Sequence, residues 1–142
     1  MTRWVVLEEH AVGAADLDGD GVIRDEALER WVSAVCNSFL DRCAVLQQQC
    51  AESGLALRSE IDGPLDGSRL GRTDTVAVSG SATEVLPDSF TIAVRVRGTH
   101  ETAVNATCVV SLEETATGTR REIGDDIRDE LIALAHAARY FN

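Results

Sequence analysis

The stretch ADLDGDGVIRDEALERW, residues 15 to 31, gathers the acids of this chain whose spacing suits chemistry. Asp16, Asp18 and Asp20 alternate, with Gly21 and Ile23 behind them. Such alternation is the start of a helix–loop–helix calcium site. That site needs oxygens at positions one, three and five, a glycine at six and a bidentate glutamate at twelve. Asp16, Asp18, Asp20 and Gly21 fill the first part of the pattern, but position twelve is Ala27. Glu26 stands one place early, which on a helix turns it about 100° away. The preceding VVLEEHAV has strand composition where a calcium site has a helix, and no second loop pairs with this one. Calcium binding is therefore the last of three readings. Without a ligand, Asp18 is a turn former in a Gly-rich loop and Asp16 a capping or turn-making residue.

Other chemistries find less support. His10, His100 and His136 share no motif with a nucleophile, and no serine sits in a Gly-x-Ser-x-Gly elbow. Cys36, Cys43 and Cys50 recur at intervals of seven, with Cys108 far downstream. Zinc ligands prefer pairs two apart. A disulfide between helix positions seven apart would span about 10 Å of rise, which its geometry forbids. The thiols read as reduced core residues. No metal site is expected.

Charge narrows the partners. The chain has 142 residues, 24 acids and 13 basic residues, all of them arginine, for a net charge of −11. That balance opposes nonspecific nucleic-acid binding and adhesion to an anionic membrane. An anionic ligand can still be held locally by a few arginines. Arg69 and Arg72 lie in the Gly-containing stretch GSRLGRTD, Arg95 and Arg97 share one strand face, and Arg120 and Arg121 sit at a turn. The opening MTRWVVLEEH is no secretory signal, and no apolar run approaches the roughly 20 residues of a membrane span. A cytoplasmic location is expected.

The periodicity supplies the elements that would position these groups. RWVVLEEHAV reads as a strand. A helix of about 28 residues follows, from Asp25 to a stop at Gly54, with a break possible near Asp41 and Arg42. Leu28, Val32, Val35, Phe39, Cys43, Leu46 and Cys50 form its apolar stripe. Asp25 and Glu26 suit its first turn, where the macrodipole favours negative charge. LALRSEI alternates, DGPLDGSRLGRTD is a loop, and TVAVSGSATEVL is a strand in which Gly80 suggests a bulge or a sharp coil. SFTIAVRVRG and ETAVNATCVVSLEE alternate cleanly, and GDDIRDELIALAHAARYFN closes as an amphipathic helix. The order predicts one α+β domain over residues 1–142, an antiparallel sheet of about five strands wrapped around a long central helix. Open sheet edges favour pairing between copies, so a dimer or dimer of dimers is expected.

The stretch resembles the hotdog-fold thioesterases of the hydroxybenzoyl-CoA type. That family has a strand, an Asp-x-Asp-x-x-Gly-x-Val loop and a long helix with early aromatics. Here DLDGDGVI supplies Asp16, Asp18, Gly21 and Ile23, and ALERWVSAVCNSFLDRC supplies Trp31 and Phe39. The resemblance runs through the later strands and over most of the chain. It implies hydrolysis of an acyl-CoA thioester, with coenzyme A entering as part of the substrate and no separate cofactor. It places the catalytic carboxylate, nucleophile or general base, at Asp18. It puts a carbonyl-polarising backbone N–H near Asp25, beside the Gly21 turn. Free N–H groups at a helix start do stabilise a developing oxyanion. Some hotdog subfamilies carry the carboxylate on the helix, which makes Glu26 the second catalytic candidate. Arg69, Arg72, Arg95 and Arg97 are candidates for the phosphates of CoA, with the Asp18 loop facing arginines of a partner subunit. The sequence departs from the family after Gly21, where VIRDEA follows. Asp20, Asp25 and Glu26 crowd Asp18 with negative charge, which would raise its pKa or repel an anionic substrate. A non-catalytic acyl-thioester-binding protein of the same fold is the alternative.

Overall fold

A computed structural model of the chain describes residues 3–63 and 65–141. Pro64 of the expected turn and Asn142 of the expected terminal helix lie outside these residues, as do Met1 and Thr2. Strand β1 covers Val6–Ala11, helix α1 Asp25–Asp41 and helix α2 Ala44–Ser53. Strands β2 (Leu55–Asp62), β3 (Thr75–Val85), β4 (Ser89–Arg97) and β5 (Ala103–Glu114) follow. The two-residue strand β6 (Arg120–Arg121) and helix α3 (Asp125–Ala137) close the chain.

The long strands form one antiparallel sheet in the order β1-β3-β4-β5-β2, with β6 paired to β5. Alternation decides which face meets the helix. Phe90, Ile92, Val94 and Val96 of β4 are buried in the core, as are Val104, Cys108, Val110 and Leu112 of β5. From α1, Leu28, Val32, Val35 and Phe39 have no exposed surface. Each such side chain contributes about 1.5–3 kcal/mol on burial. The core is aliphatic and thiol-rich, with Trp31, Phe39 and Phe90 as its large aromatics near α1.

Gly80 does not mark a bulge. The register shift in β3 falls between Ala82 and Glu84. Gly80 is instead where α1 presses onto the sheet, because a Cβ there would lie 2.7 Å from Val35 Cγ1. The long helix does break, at Arg42–Cys43, where Cys43 has φ −86° and ψ 76°. No proline or glycine causes this. Two N–H groups in the first turn of α2, on Val45 and Leu46, donate to the Glu130 carboxylate of α3 at 2.9 and 3.1 Å. A side chain 84 residues away thus caps the new helix start. Gly54 ends α2 in the left-handed region at φ 63°, as its position in the sequence predicts. Helix α3 is shorter than expected. After Ala137 the chain extends, and Tyr140 pairs with Trp4 ahead of β1.

Candidate active site at the start of the central helix

The acidic loop is a tight hairpin built on Asp18. Leu17 and Ile23 form an antiparallel bridge, and the Asp18 N–H donates to the Val22 carbonyl at 2.8 Å. Gly21 takes φ +79°, a conformation glycine adopts without steric cost. Asp18 Oδ1 accepts from the N–H groups of Val22 at 3.0 Å and Asp20 at 2.8 Å. These bonds, the Val22 one foremost, hold the Asp18 carboxyl below the ordinary carboxylate range. The shift runs opposite to the one expected from the crowd of acids: two short backbone bonds outweigh exposed charges that water screens. Asp18 is exposed and ionised.

Asp16 has a different task. It is buried, and its Oδ2 accepts from the Gly13 N–H at 2.8 Å. Its Oδ1 pairs with the Arg30 guanidinium on α1. Its carboxyl is held low, by the Gly13 bond first and then by Arg30. The Asp16 carbonyl also accepts from the Arg24 N–H at 2.8 Å, and Arg24 Nε reaches the Leu17 carbonyl at 2.9 Å. Asp16 therefore fastens the loop to the helix. Among the described residues no three acidic, histidine or cysteine side chains are grouped to hold a metal ion.

Helix α1 starts at Asp25, with Arg24 as a cap that offers no side-chain hydrogen bond. The Ala27 and Leu28 N–H groups turn back to the Arg24 carbonyl, at 3.1 and 3.3 Å. Among the described residues, the N–H groups of Asp25 and Glu26 have no acceptor. They are the free donors at the positive end of the helix dipole. The Glu26 side chain is exposed beside them.

The arginine-bearing loop packs on this helix start within one chain. Asp25 Oδ1 accepts from the Gly67 N–H at 3.0 Å. A Cβ on Gly67 would lie 1.9 Å from the Ile23 carbonyl oxygen, so the contact requires glycine. A short 3-10 turn, Gly67–Leu70, buries Leu70 and leaves Arg69 exposed, with Arg72 exposed just beyond. Thr102 Oγ1 donates to the Leu70 carbonyl at 2.8 Å, which ties the β4–β5 turn to the same loop.

The other arginines are dispersed. Arg95 and Arg97 alternate with inward Val94 and Val96, so they lie on the sheet face turned away from α1. Arg97 borders a cavity at one sheet end with Glu9, Thr75 and Thr99. Arg120 pairs with Asp88 and Arg121 with Glu114, at 3.4 and 3.0 Å. Of the candidates, Asp18, Gly21, Asp25, Glu26, Arg69 and Arg72 belong to the loop, helix start and adjoining turn, whereas Arg95 and Arg97 do not join them in one chain.

A groove leaves the helix start that the sequence did not reveal. A cavity of about 310 Å³ lies beside Asp25, Glu29, Ile61 and Leu65. A second, of about 520 Å³, continues past Glu29 and Ile61 to Ser33, Asn37, Ser59 and the Cys36 and Cys108 thiols. The shared residues Glu29 and Ile61 make them one trough between α1 and the edge strand β2. Another cavity, about 580 Å³ between α2 and α3, is walled by Glu52, Asp126, Asp129 and Glu130, which suits no anionic ligand.

No protein-family model matches the sequence, and no curated protein matches it. Solved structures do match. A thioesterase from Thermus thermophilus, solved with coenzyme A and zinc, is 19% identical with a TM-score of 0.70. The match covers 96% of this chain and 98% of that one. A 1,4-dihydroxy-2-naphthoyl-CoA thioesterase from Synechocystis is 17% identical at TM-score 0.65, over 92% and 97% of the two chains. The 12:0-ACP thioesterase of Umbellularia californica is 15% identical at TM-score 0.72, over 91% of this chain and 53% of that one. At these identities the likeness is one of architecture, and this chain has the hotdog fold found in those thioesterases.

Proposed function

We propose that the chain is a thioester hydrolase acting on acyl-CoA. The observation that carries this reading is the pairing of two unoccupied N–H donors, on Asp25 and Glu26, with an ionised carboxylate, Asp18, on the loop that leads into the helix. The donors polarise the thioester carbonyl and take up the charge of the tetrahedral intermediate. Asp18 is ionised and serves as nucleophile or as general base to a water. As nucleophile it acts in two steps. Its oxygen bonds to the carbonyl carbon, the carbon–sulfur bond breaks, and the CoA thiolate leaves and takes a proton. Water then cleaves the mixed anhydride. The solved thioesterases of the same architecture support this reading, and Arg69 and Arg72 next to the helix start suit the phosphates of CoA.

Arg95 and Arg97, across the sheet from α1, serve such a phosphate only from a second copy. The acyl group takes the trough along α1. No described helix is long and apolar enough to cross a membrane.

A panel of acyl-CoA thioesters run on wild type and Asp18→Asn tests the proposal. Asn keeps the turn hydrogen bonds but cannot attack, so turnover falls about a hundredfold or more. Undiminished turnover removes Asp18 from the chemistry and makes Glu26→Gln the next variant. CoA binding with no hydrolysis of any thioester selects the alternative, a non-catalytic acyl-thioester-binding protein.

A further inference from the structure

The loop that carries Arg69 and Arg72 is fastened at both ends. At its start the Gly67 N–H donates to Asp25 of α1. At its other end the turn between β4 and β5 takes hold of it. The Leu70 carbonyl accepts from two hydroxyls, Thr102 Oγ1 at 2.8 Å and Thr73 Oγ1 at 3.1 Å. Thr73 Oγ1 in turn accepts from the Thr99 N–H at 3.2 Å, and the Thr102 hydroxyl also lies 3.0 Å from the Thr99 carbonyl. Thr73 is buried, so water does not compete for its bonds. Gly98 closes the junction. A Cβ there would lie 2.6 Å from Thr73 Oγ1, 2.7 Å from Thr102 Oγ1 and 3.2 Å from the Leu70 carbonyl oxygen. The turn reaches this contact through His100 and Glu101, both in the left-handed region at φ 64° and 61°. Residues with a Cβ adopt that region at a cost, and such strain persists only where the surrounding bonds impose it.

Each arginine immediately precedes a clamped residue, Arg69 before Leu70 and Arg72 before Thr73. Arg30, Arg58, Arg120, Arg121 and Arg128 pair with acids of the chain. Arg69 and Arg72 are exposed and make no ion pair among the described residues. On a chain with 24 acids, two guanidinium groups are thus kept clear of carboxylates on a fixed stretch of backbone.

We propose that Thr73 and Thr102 are positioning residues for the phosphate-bearing end of CoA: through the Leu70 carbonyl they fix the backbone from which Arg69 and Arg72 reach those phosphates. The inference rests on the acyl-CoA reading of the site. A loop that is ordered before the ligand arrives loses less freedom on binding, so its arginines hold an anion more tightly. Removing the Thr102 hydroxyl releases the β4–β5 turn and lets the Leu70 end of the loop move. The groups at the thioester stay in place, because the Asp18 hairpin and the bond from Gly67 to Asp25 do not involve Thr102. Binding that is equal in the ground and transition states is then lost, which raises KM and leaves kcat unchanged.

The test compares wild type with Thr102→Val, which is nearly isosteric and lacks the hydroxyl. KM for an acyl-CoA rises about five- to tenfold, the scale of one hydrogen bond, with kcat retained. The same acyl group carried on N-acetylcysteamine, which has no phosphates, is turned over with unchanged kcat/KM. Thr102→Ser keeps the hydroxyl and restores the wild-type KM. Gly98→Ala, which forces the two threonines apart, raises KM in the same way and serves if Thr102→Val does not fold. Equilibrium dialysis of CoA itself reads the effect without turnover, as a Kd that rises by the same factor. Equal KM and Kd in wild type and variant overturn the proposal. So does a matching loss on the N-acetylcysteamine thioester, a fall in kcat, or a Thr102→Ser variant as weak as Thr102→Val. Failure of the hydrolase reading looks different. CoA binding that weakens in Thr102→Val, with no turnover of any thioester, keeps the clamp and removes the hydrolysis. A wild type that binds no CoA overturns both.

Discussion

The Asp25 carboxylate and the Gly67 N–H lie 3.0 Å apart, and this bond joins the first turn of α1 to the loop that carries Arg69 and Arg72. It places an acid in the helix's first turn, where the dipole favours it, and occupies that acid with a backbone donor. The carboxylate is thereby turned toward the loop, and the Asp25 N–H stays available at the helix end.

Gly67→Ala tests that junction. A methyl group would meet the Ile23 carbonyl at 1.9 Å, and backbone cannot yield as a side-chain tip does. The expected loss is about 1–3 kcal/mol in denaturant unfolding, the usual scale of overpacking. Gly19→Ala, where a Cβ meets nothing within 4 Å, is the control and should change stability by at most about 0.5 kcal/mol. Equal stabilities for the two variants would show that the 66–72 loop is not clamped to α1.

Acid stability should report Asp16. Its carboxyl is held low in the folded chain by the Gly13 N–H and Arg30, against about 3.9 when unfolded. The unfolded state then binds the proton more readily, so stability falls as pH falls. The contribution is complete above the unfolded pKa and is lost as pH drops through the lower folded one. Asp16→Asn should cost about 1–2 kcal/mol at pH 7, the scale of a charge-assisted hydrogen bond. The gap between wild type and variant should shrink below about pH 4. A gap that stays constant down to about pH 2 would mean the ionised form has no special role.

Calcium at millimolar concentration should leave the melting temperature unchanged within a degree or so. Asp16 already holds Arg30 and Gly13, and Asp18 is folded onto its own hairpin. Ala27 stands where a bidentate glutamate is needed. A rise of several degrees with one calcium per chain would overturn the hairpin assignment.

The edge strand β2 should pair with its equivalent in a second copy. Its Ser59 and Glu60 are exposed, Ile61 is half-buried, and the trough beside α1 opens along it. Sedimentation at micromolar concentration should give a multiple of the 15.3 kDa chain mass. Ile61→Arg should shift it to the single-chain value, because a buried unpaired charge at an interface is costly. A wild-type chain that sediments at 15.3 kDa would remove the paired edge and any site shared across it.

The sequence by itself determined the architecture. Strict alternation in β4 and β5 and the stripe of Leu28, Val32, Val35 and Phe39 leave one way to bury apolar surface: an antiparallel sheet wrapped on α1. It also placed the acidic turn before the helix and the helix end at Gly54, because turn and cap chemistry is local. Tertiary structure decided what depends on distant atoms. The break at Cys43 became definite when Glu130 of α3 supplied acceptors to Val45 and Leu46. Gly80, which suggested a bulge, is a seat for Val35. The pKa of Asp18 fell because two backbone N–H groups, whose directions no composition reveals, outweigh neighbouring charges in water. That Cys36 of α1 and Cys108 of β5 line one cavity depends on the folded chain, and their separation in sequence carries no trace of it.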